Sequence, residues 1–295
     1  MLSRRTFLAA TAAAGLVAPS RLSARQPAVG RNPVCVFTKP FNSLTHEQLA
    51  SQVAPLGFDG IEAPVRSGGH IEPEAVPEQL PELVQALAAR NLEITVLTSD
   101  INDPADPLTE KVLTTASRLG IRYYRMKYFR YDENQSITQQ IDQYRGRLKD
   151  LAAMNRQLNI TALYQNHAGR NYFGAAVWDL YRALENIDPR HVGMAYDIRH
   201  ATVESGTAWP IGFRLVRPHI QVVYVKDFVW GEQKPTNVPL GQGRVDAKFF
   251  EMLRSTGFNG PISLHEEYLD HRRPELVPQH WQAIAADFRT LKSWL

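Results

Sequence analysis

Short apolar runs and longer amphipathic stretches alternate along most of the chain. The apolar runs are rich in β-branched and aromatic residues, as is typical of buried strands in a parallel sheet. Eight such runs are found, at 34–38, 60–63, 93–98, 123–127, 160–165, 192–197, 221–226 and 261–267. Stretches with helical periodicity follow them, at 46–54, 78–90, 108–119, 136–157, 176–186, 210–216, 247–256 and 278–294.

This alternation predicts an α/β fold, a single-domain (β/α)8 barrel (TIM barrel) over residues 33–295, since eight such units take about 250 residues. A doubly wound open sheet is the alternative fold. Its first strand is ordinarily followed by a glycine-rich turn that binds a dinucleotide, whereas residues 38–42 read Thr-Lys-Pro-Phe-Asn. We therefore expect no nucleotide cofactor.

The first 24 residues have the composition of an export signal. They contain Arg4 and Arg5, then an alanine-rich apolar stretch and the small residues Ser23 and Ala24. The run from Ser3 to Leu8, Ser-Arg-Arg-Thr-Phe-Leu, resembles a twin-arginine signal. This predicts a cleavable signal at 1–24, a linker at 25–32, recognition by the twin-arginine export machinery and a periplasmic location. An ordinary amphipathic N-terminal helix is the alternative, and no stable membrane anchor is expected.

The net positive charge of the chain comes from its first 24 residues. The formal net charge is +3, from 33 Lys and Arg against 30 Asp and Glu. Because the first 24 residues hold three arginines and no acid, the remainder is neutral. We therefore expect no nucleic-acid partner. The single cysteine, Cys35, excludes an internal disulfide and a cysteine-based zinc site.

Polar side chains converge where the last four predicted strands end. Residues two apart on a strand share a face, and active sites of such barrels lie at the carboxyl ends of the strands. The residues that reach this end are Gln165 and His167, Asp197 and His200, Tyr224 and Lys226, and His265 and Glu267. The convergence of these groups on one rim predicts an active site, because they include an amide, imidazoles, carboxylates and an ammonium.

The chain resembles the xylose isomerase-like barrels grouped as sugar phosphate isomerases and epimerases. The likeness is carried by Gly-Phe-Asp-Gly-Ile-Glu at 57–62, Asp197-x-x-His200, Val-Lys-Asp at 225–227, Pro-Leu-Gly-Gln-Gly-Arg-Val-Asp at 239–246 and Gly-Pro-Ile-Ser-Leu at 260–264. The resemblance implies a divalent ion held by Glu, Asp, His and Glu at the ends of strands five to eight. It also implies that the two Glu residues move a proton between adjacent sugar carbons through an enediolate.

The chain departs from that family pattern at three of the four ligand positions. Gln165 replaces the first Glu, Tyr224 replaces the His, and His265 replaces the last Glu, with Glu267 two residues further on. A replacement metal set would be Gln165, Asp197 and His265, with Glu267 as a possible addition. An imidazole ligand favours Mn, Zn or Fe over Mg. The alternative is a site without metal, in which these groups bind sugar hydroxyls.

The resemblance and the residues together predict a sugar isomerase or epimerase, or a lyase that eliminates from a keto-sugar. Glu267 and His167 are the candidate bases, and Lys226 is the candidate group that stabilises an enolate. The predicted substrate-binding residues are His200, Arg199, Trp230, Glu62 and Tyr224. Arg199 would hold an anionic group of the substrate or pair with an acid. The alternative function is a non-catalytic periplasmic carbohydrate-binding protein with an eroded metal site.

Overall fold

A computed structural model describes residues 31–295, and in it eight parallel strands close into a barrel in the order β1-β10-β7-β6-β5-β4-β3-β2. The barrel strands are β1 (Val34–Phe37), β2 (Gly60–Pro64), β3 (Glu93–Thr98), β4 (Tyr123–Arg125), β5 (Thr161–Gln165), β6 (Val192–Asp197), β7 (Ile220–Val225) and β10 (Ile262–Leu264). The predicted single-domain barrel is confirmed. The predicted signal at 1–24 and most of the linker lie outside the described residues.

Nine α-helices of the described chain surround the barrel or join its strands. They are α1 (His46–Val53), α2 (Val76–Ala88), α3 (Pro107–Arg118), α4 (Ile137–Leu158), α5 (Trp178–Leu184), α6 (Ile198–Ser205), α7 (Trp209–Val216), α8 (Lys248–Ser255) and α9 (Val277–Trp294). None of the helices between residues 31 and 295 is long and apolar enough to cross a membrane.

The apolar core has two parts because alternate residues of each strand point to opposite faces of the barrel wall. The large part fills the space between the strands and the helices, and includes Phe41, Phe213, Phe249 and Phe250. The small part consists of Val96, Leu163, Ala195, Val222 and Tyr224, all from barrel strands. It forms an apolar floor inside the barrel, and the polar residues of the strand ends lie above it.

A two-stranded hairpin follows β7 and is the main departure from the predicted pattern. Its antiparallel strands are β8 (Asp227–Trp230) and β9 (Pro235–Val238). The Asp227 carboxylate accepts backbone N–H groups from Gly241, Gly243 and Val245, which holds the loop that leads to α8. A side chain at Gly243 would collide with this carboxylate, so the loop requires glycine there.

Candidate active site

Asp197 is a carboxylate at the mouth of the barrel that several hydrogen bonds hold in place. It ends β6 and caps α6, because its Oδ1 accepts the backbone N–H of His200 at 3.0 Å. Its Oδ2 accepts Nε2 of Gln165 at 2.8 Å. Asn166 bonds both backbone groups of Asp197, donating to its carbonyl and accepting from its N–H. The side chain is fully buried, so its position is fixed by the fold.

Lys226 places an ammonium between two carboxylates. Its Nζ lies 2.7 Å from Oε2 of Glu267 and 3.2 Å from Oδ2 of Asp197. Burial alone would lower the pKa of Lys226, but the charges of Asp197 and Glu267 outweigh burial and raise it above its ordinary value. Lys226 is therefore a permanent cation at neutral pH.

Glu267 is the partner of Lys226 that remains open to solvent, with 24% of its side chain exposed. Burial would raise the pKa of Glu267, but Lys226, and after it His265 and Lys39, lower the pKa well below its usual range. The carboxylate is thus ionised and weakly basic. Its backbone carbonyl accepts Nδ2 of Asn237 at 3.2 Å, which ties it to the hairpin.

Two neutral histidines lie together beside these charges, with ring centroids 4.0 Å apart. Nδ1 of His167 donates to the carbonyl of Ala168 at 2.9 Å, since a carbonyl only accepts, and Nε2 of His167 therefore carries the lone pair. Burial, and then Lys226, lower the pKa of His167 to about 4. At neutral pH His167 is an unprotonated base with its acceptor nitrogen free.

His200 has the opposite tautomer. Its Nδ1 accepts Nη1 of Arg199 at 3.1 Å, which places the hydrogen on Nε2, 3.5 Å from Oδ2 of Asp197. Burial, followed by Lys226, lowers the pKa of His200 well below its ordinary value. His200 is consequently a neutral donor that faces the Asp197 carboxylate.

A second buried cluster surrounds Glu62, which lies on β2. Its carboxylate accepts Oγ1 of Thr98 at 2.5 Å, Oγ of Ser263 at 2.7 Å and Nε2 of His265 at 2.9 Å. Burial would raise the pKa of Glu62, but His265, and then Arg125, whose Nε lies 3.9 Å away, lower it to about 2. Glu62 is therefore an ionised group of the barrel interior.

The remaining predicted substrate-binding residues occupy different surroundings. Tyr224 is fully buried, with its ring 4.5 Å from that of His265. Arg199 is also buried; its Nε donates to Oδ1 of Asn237 at 3.1 Å, and its guanidinium lies over the ring of Phe228. Arg199 therefore holds the hairpin, whereas Trp230 on β8 has 55% of its surface exposed.

Two residues of the site were missed by sequence reasoning. The hydroxyl of Tyr128 donates to Oε1 of Gln165 at 2.5 Å, which turns the amide nitrogen of Gln165 toward Asp197. Tyr128 follows β4 in a loop, where no periodicity marks its direction. Asn237 lies in the hairpin that the pattern did not predict. Only its position between Arg199 and Glu267 identifies it.

Comparison with protein families gives a match over residues 50–292 to the model described as xylose isomerase-like TIM barrel. The chain belongs to this family. No curated protein matches the chain. The strand-end residues described above thus lie at the end of the barrel where members of the family carry their active sites.

Solved structures share this fold at low sequence identity. A probable 3-DHS dehydratase from Bacillus anthracis is 18% identical with a TM-score of 0.67, covering 89% of this chain and 99% of its own. A 3-keto-D-glucoside 4-epimerase from E. coli is 16% identical with a TM-score of 0.63, covering 86% and 99%. D-psicose 3-epimerase from Clostridium cellulolyticum H10 is 12% identical with a TM-score of 0.67, covering 89% and 99%.

The donors of this family member do not fit a divalent ion. Gln165 presents its N–H group, not its carbonyl, to Asp197, and the Lys226 ammonium lies against the same carboxylate oxygen. Nε2 of His265, the third predicted ligand, is bonded to Glu62. Between residues 31 and 295, no three His, Cys, Asp or Glu side chains are grouped to hold a metal ion. A cation next to Asp197 would have to displace Lys226.

Proposed function

We propose that this protein is a carbohydrate-modifying enzyme that removes a proton from the carbon next to a carbonyl group. The proton then returns to an adjacent carbon or to the opposite face, or a group departs by β-elimination. The observation that carries the proposal is the Lys226 ammonium fixed between Asp197 and Glu267, with the neutral imidazole of His167 near enough for Lys226 to lower its pKa. The two epimerases that share the fold support a carbohydrate as substrate, and the dehydratase supports elimination as one outcome.

In this proposal His167 is the base. Its Nε2 takes the proton, the electron pair of the broken C–H bond forms a carbon–carbon double bond, and the carbonyl oxygen becomes negative. Lys226 stabilises that oxygen, since a preorganised cation in a buried site acts strongly on developing charge. The mechanism contains no metal step, because the donor set does not fit one.

Glu267 is the second candidate base and reaches solvent beside Lys226. Its carboxylate is ionised but weakly basic because of Lys226. We expect Glu267→Gln to abolish turnover while ligand binding remains. The Lys226 ammonium would lose the carboxylate that holds it toward the mouth of the barrel. Near-normal turnover in this variant, measured together with ligand binding, would refute a catalytic contribution of Glu267.

The test of the reaction class is exchange of carbon-bound hydrogen with solvent. The purified protein is incubated in D2O with a panel of keto-sugars, and NMR follows deuterium next to the carbonyl. We expect incorporation by the wild type and by Lys127→Met, which removes an exposed lysine after β4, but none by Lys226→Met. Equal incorporation by all three would contradict the role of Lys226.

The second candidate function is a non-catalytic carbohydrate-binding protein. It is favoured by Gln165, Tyr224 and His265, which replace the ligands that the family resemblance implies. Such a protein would bind a sugar saturably and exchange no carbon-bound hydrogen. The same deuterium experiment, with calorimetry on each sugar, separates the two functions.

We also propose that the protein is exported by the twin-arginine route to the periplasm, on the strength of the Arg4–Arg5 pair and the apolar stretch after it. Replacing both arginines by lysine keeps the charge but removes the pair that the receptor reads. We expect this variant to remain in the cytoplasmic fraction while the wild type reaches the periplasm. Equal periplasmic amounts would refute the route.

A further inference from the structure

A polar cavity of about 370 Å³, here called the rim cavity, adjoins the candidate active site. Its lining comes from the loops that follow β1, β2, β3 and β10, four neighbouring strands of the barrel. The lining residues that carry charge or a ring nitrogen are Lys39, Arg66, Asp100 and His271. The rim cavity therefore lies at the same end of the barrel as Lys226 and Glu267.

Two cations of the rim cavity have no partner in the described chain. Within residues 31–295, neither the Lys39 ammonium nor the Arg66 guanidinium makes an ion pair or a side-chain hydrogen bond, although both are half-buried. By contrast, Lys226 contacts two carboxylates. Because both side chains are partly exposed, their donors face the cavity and are available for charge-assisted hydrogen bonds to a bound anion.

Repulsion among these cations also favours a bound anion. Burial, and then repulsion by Arg66, Lys226 and Arg125, lower the pKa of Lys39 despite attraction by Glu267. Burial, and then Arg125, likewise lower the pKa of Arg66. Several positive charges thus surround an open space, which is the arrangement that an anionic ligand stabilises.

The net charge of the residues that line the cavity is +1, which matches a monoanionic ligand. Lys39 and Arg66 contribute two positive charges, and Asp100 removes one; its Oδ2 accepts the N–H of Ser67 at 3.1 Å. His271 is neutral at pH 7, because burial, and then Lys39, lower its pKa. A carboxylate or a sulfate ester balances the remaining charge, whereas a phosphate dianion exceeds it.

The geometry points to the rim cavity as the subsite for a monoanionic substituent of the substrate, a sugar acid or a sugar sulfate, held by Lys39 and Arg66. This inference rests on the proposed function, since it places the reacting carbons over Lys226 and His167. Lys39 connects the two regions, because it also lowers the pKa of Glu267. An anionic group in the cavity would therefore orient the sugar relative to the catalytic lysine.

Direct binding tests the subsite without requiring turnover. Calorimetry compares D-glucuronate and glucose 6-sulfate with D-glucose, glucose 6-phosphate and inorganic sulfate. We expect a monoanionic sugar to bind at least about tenfold more tightly than D-glucose, and Lys39→Met and Arg66→Met each to abolish that preference. Arg118→Met, which removes an exposed arginine of α3, should leave it unchanged.

The inference would be overturned by equal affinity for charged and neutral sugars, by unchanged preference in both variants, or by tightest binding of the phosphate. Inorganic sulfate as tight as the sugar monoanions would also overturn it, because the site would then recognise no sugar. Binding of a sugar acid without deuterium exchange would refute the proposed reaction and leave the subsite standing. Deuterium exchange on keto-sugars with no binding preference for a monoanionic sugar would refute the subsite and leave the proposed reaction standing.

Discussion

Nζ of Lys226 lies 3.2 Å from Oδ2 of Asp197, the one residue that keeps the identity expected at the metal-ligand positions of this family. A side-chain cation thus contacts the carboxylate at which a divalent ion would be expected. The ammonium belongs to the polypeptide chain and cannot dissociate. The site therefore keeps this positive charge regardless of which metal ions are present in solution.

Lys226→Met should reduce both stability and reaction. Removing the ammonium leaves the fully buried Asp197 without its cation, and breaking a buried pair costs about 3–5 kcal/mol of unfolding free energy. Urea denaturation measures this loss, and deuterium exchange measures the reaction. The double variant Lys226→Met/Asp197→Asn removes the orphaned charge, so it should recover most of the stability and none of the exchange. Recovery of both would show that the lysine is purely structural.

Removal of metal ions by EDTA should leave the reaction unchanged, because the cation next to Asp197 is the side chain of Lys226. We expect EDTA-treated protein to exchange deuterium at the untreated rate, and Mn²⁺ not to raise its Tm. The variant Gln165→Glu/Lys226→Ala replaces the amide by a third carboxylate and removes the ammonium, so Mn²⁺ should raise its Tm. A stoichiometric metal in the protein as purified, lost together with activity on chelation, would contradict this prediction.

His167→Gln should lower the rate of exchange by about a hundredfold or more, the usual contribution of a general base. Since the pKa of His167 is lowered to about 4, its base form is present at all pH values above that. The pH profile of kcat/KM should therefore decline on the acid side near pH 4, not near 6.5, and the variant should lose this limb. A decline of kcat/KM near pH 6.5 would show that another group is the base.

Asp287→Asn should stabilise the protein at alkaline pH. Asp287 lies in α9, its Oδ1 accepts the N–H of Leu240 at 3.0 Å, and burial, reinforced by Glu266 and Asp227, raises its pKa to about 7. A raised pKa means that stability is lost as the pH rises from about 4 to about 7. We expect the variant to gain on the order of 3 kcal/mol of unfolding free energy at pH 8.

That gain should shrink steadily as the pH is lowered toward 4, because the buried carboxyl of the folded wild type is then protonated and carries no charge. Denaturant melts at pH 4, 6 and 8 measure it. Asp246→Asn, at an exposed carboxylate before α8, serves as the matched control and should show no such trend. A gain for Asp287→Asn that does not depend on pH would assign the effect to packing.

The barrel, and the convergence of polar side chains at its strand ends, could be predicted from the sequence because both follow from short-range periodicity. Buried parallel strands consist of β-branched runs, and a period of two decides which side chains face inward. This reasoning placed Gln165, Asp197, Lys226 and Glu267 on one rim, and the structure joins them by direct contacts.

Periodicity could not predict which side chains bond to each other inside the barrel. The sequence predicts that His265 and Glu267 share a strand face, but β10 ends at Leu264. His265 bonds to Glu62 across the barrel, while Glu267 holds Lys226. Which layer a side chain enters depends on the register of eight strands, which no single strand encodes. The hairpin was missed because its second strand, with Pro235 and Asn237, has the composition of a loop.

The same hairpin makes the centre depend on a segment outside the barrel. Asn237 accepts from Arg199, which follows β6, and donates to the backbone of Glu267, which follows β10. One amide thus cross-links the first turn of α6 and the loop that follows β10. Insertions or substitutions in the hairpin can shift Glu267 without altering a barrel strand, so the chemistry of the site can change while the barrel stays the same.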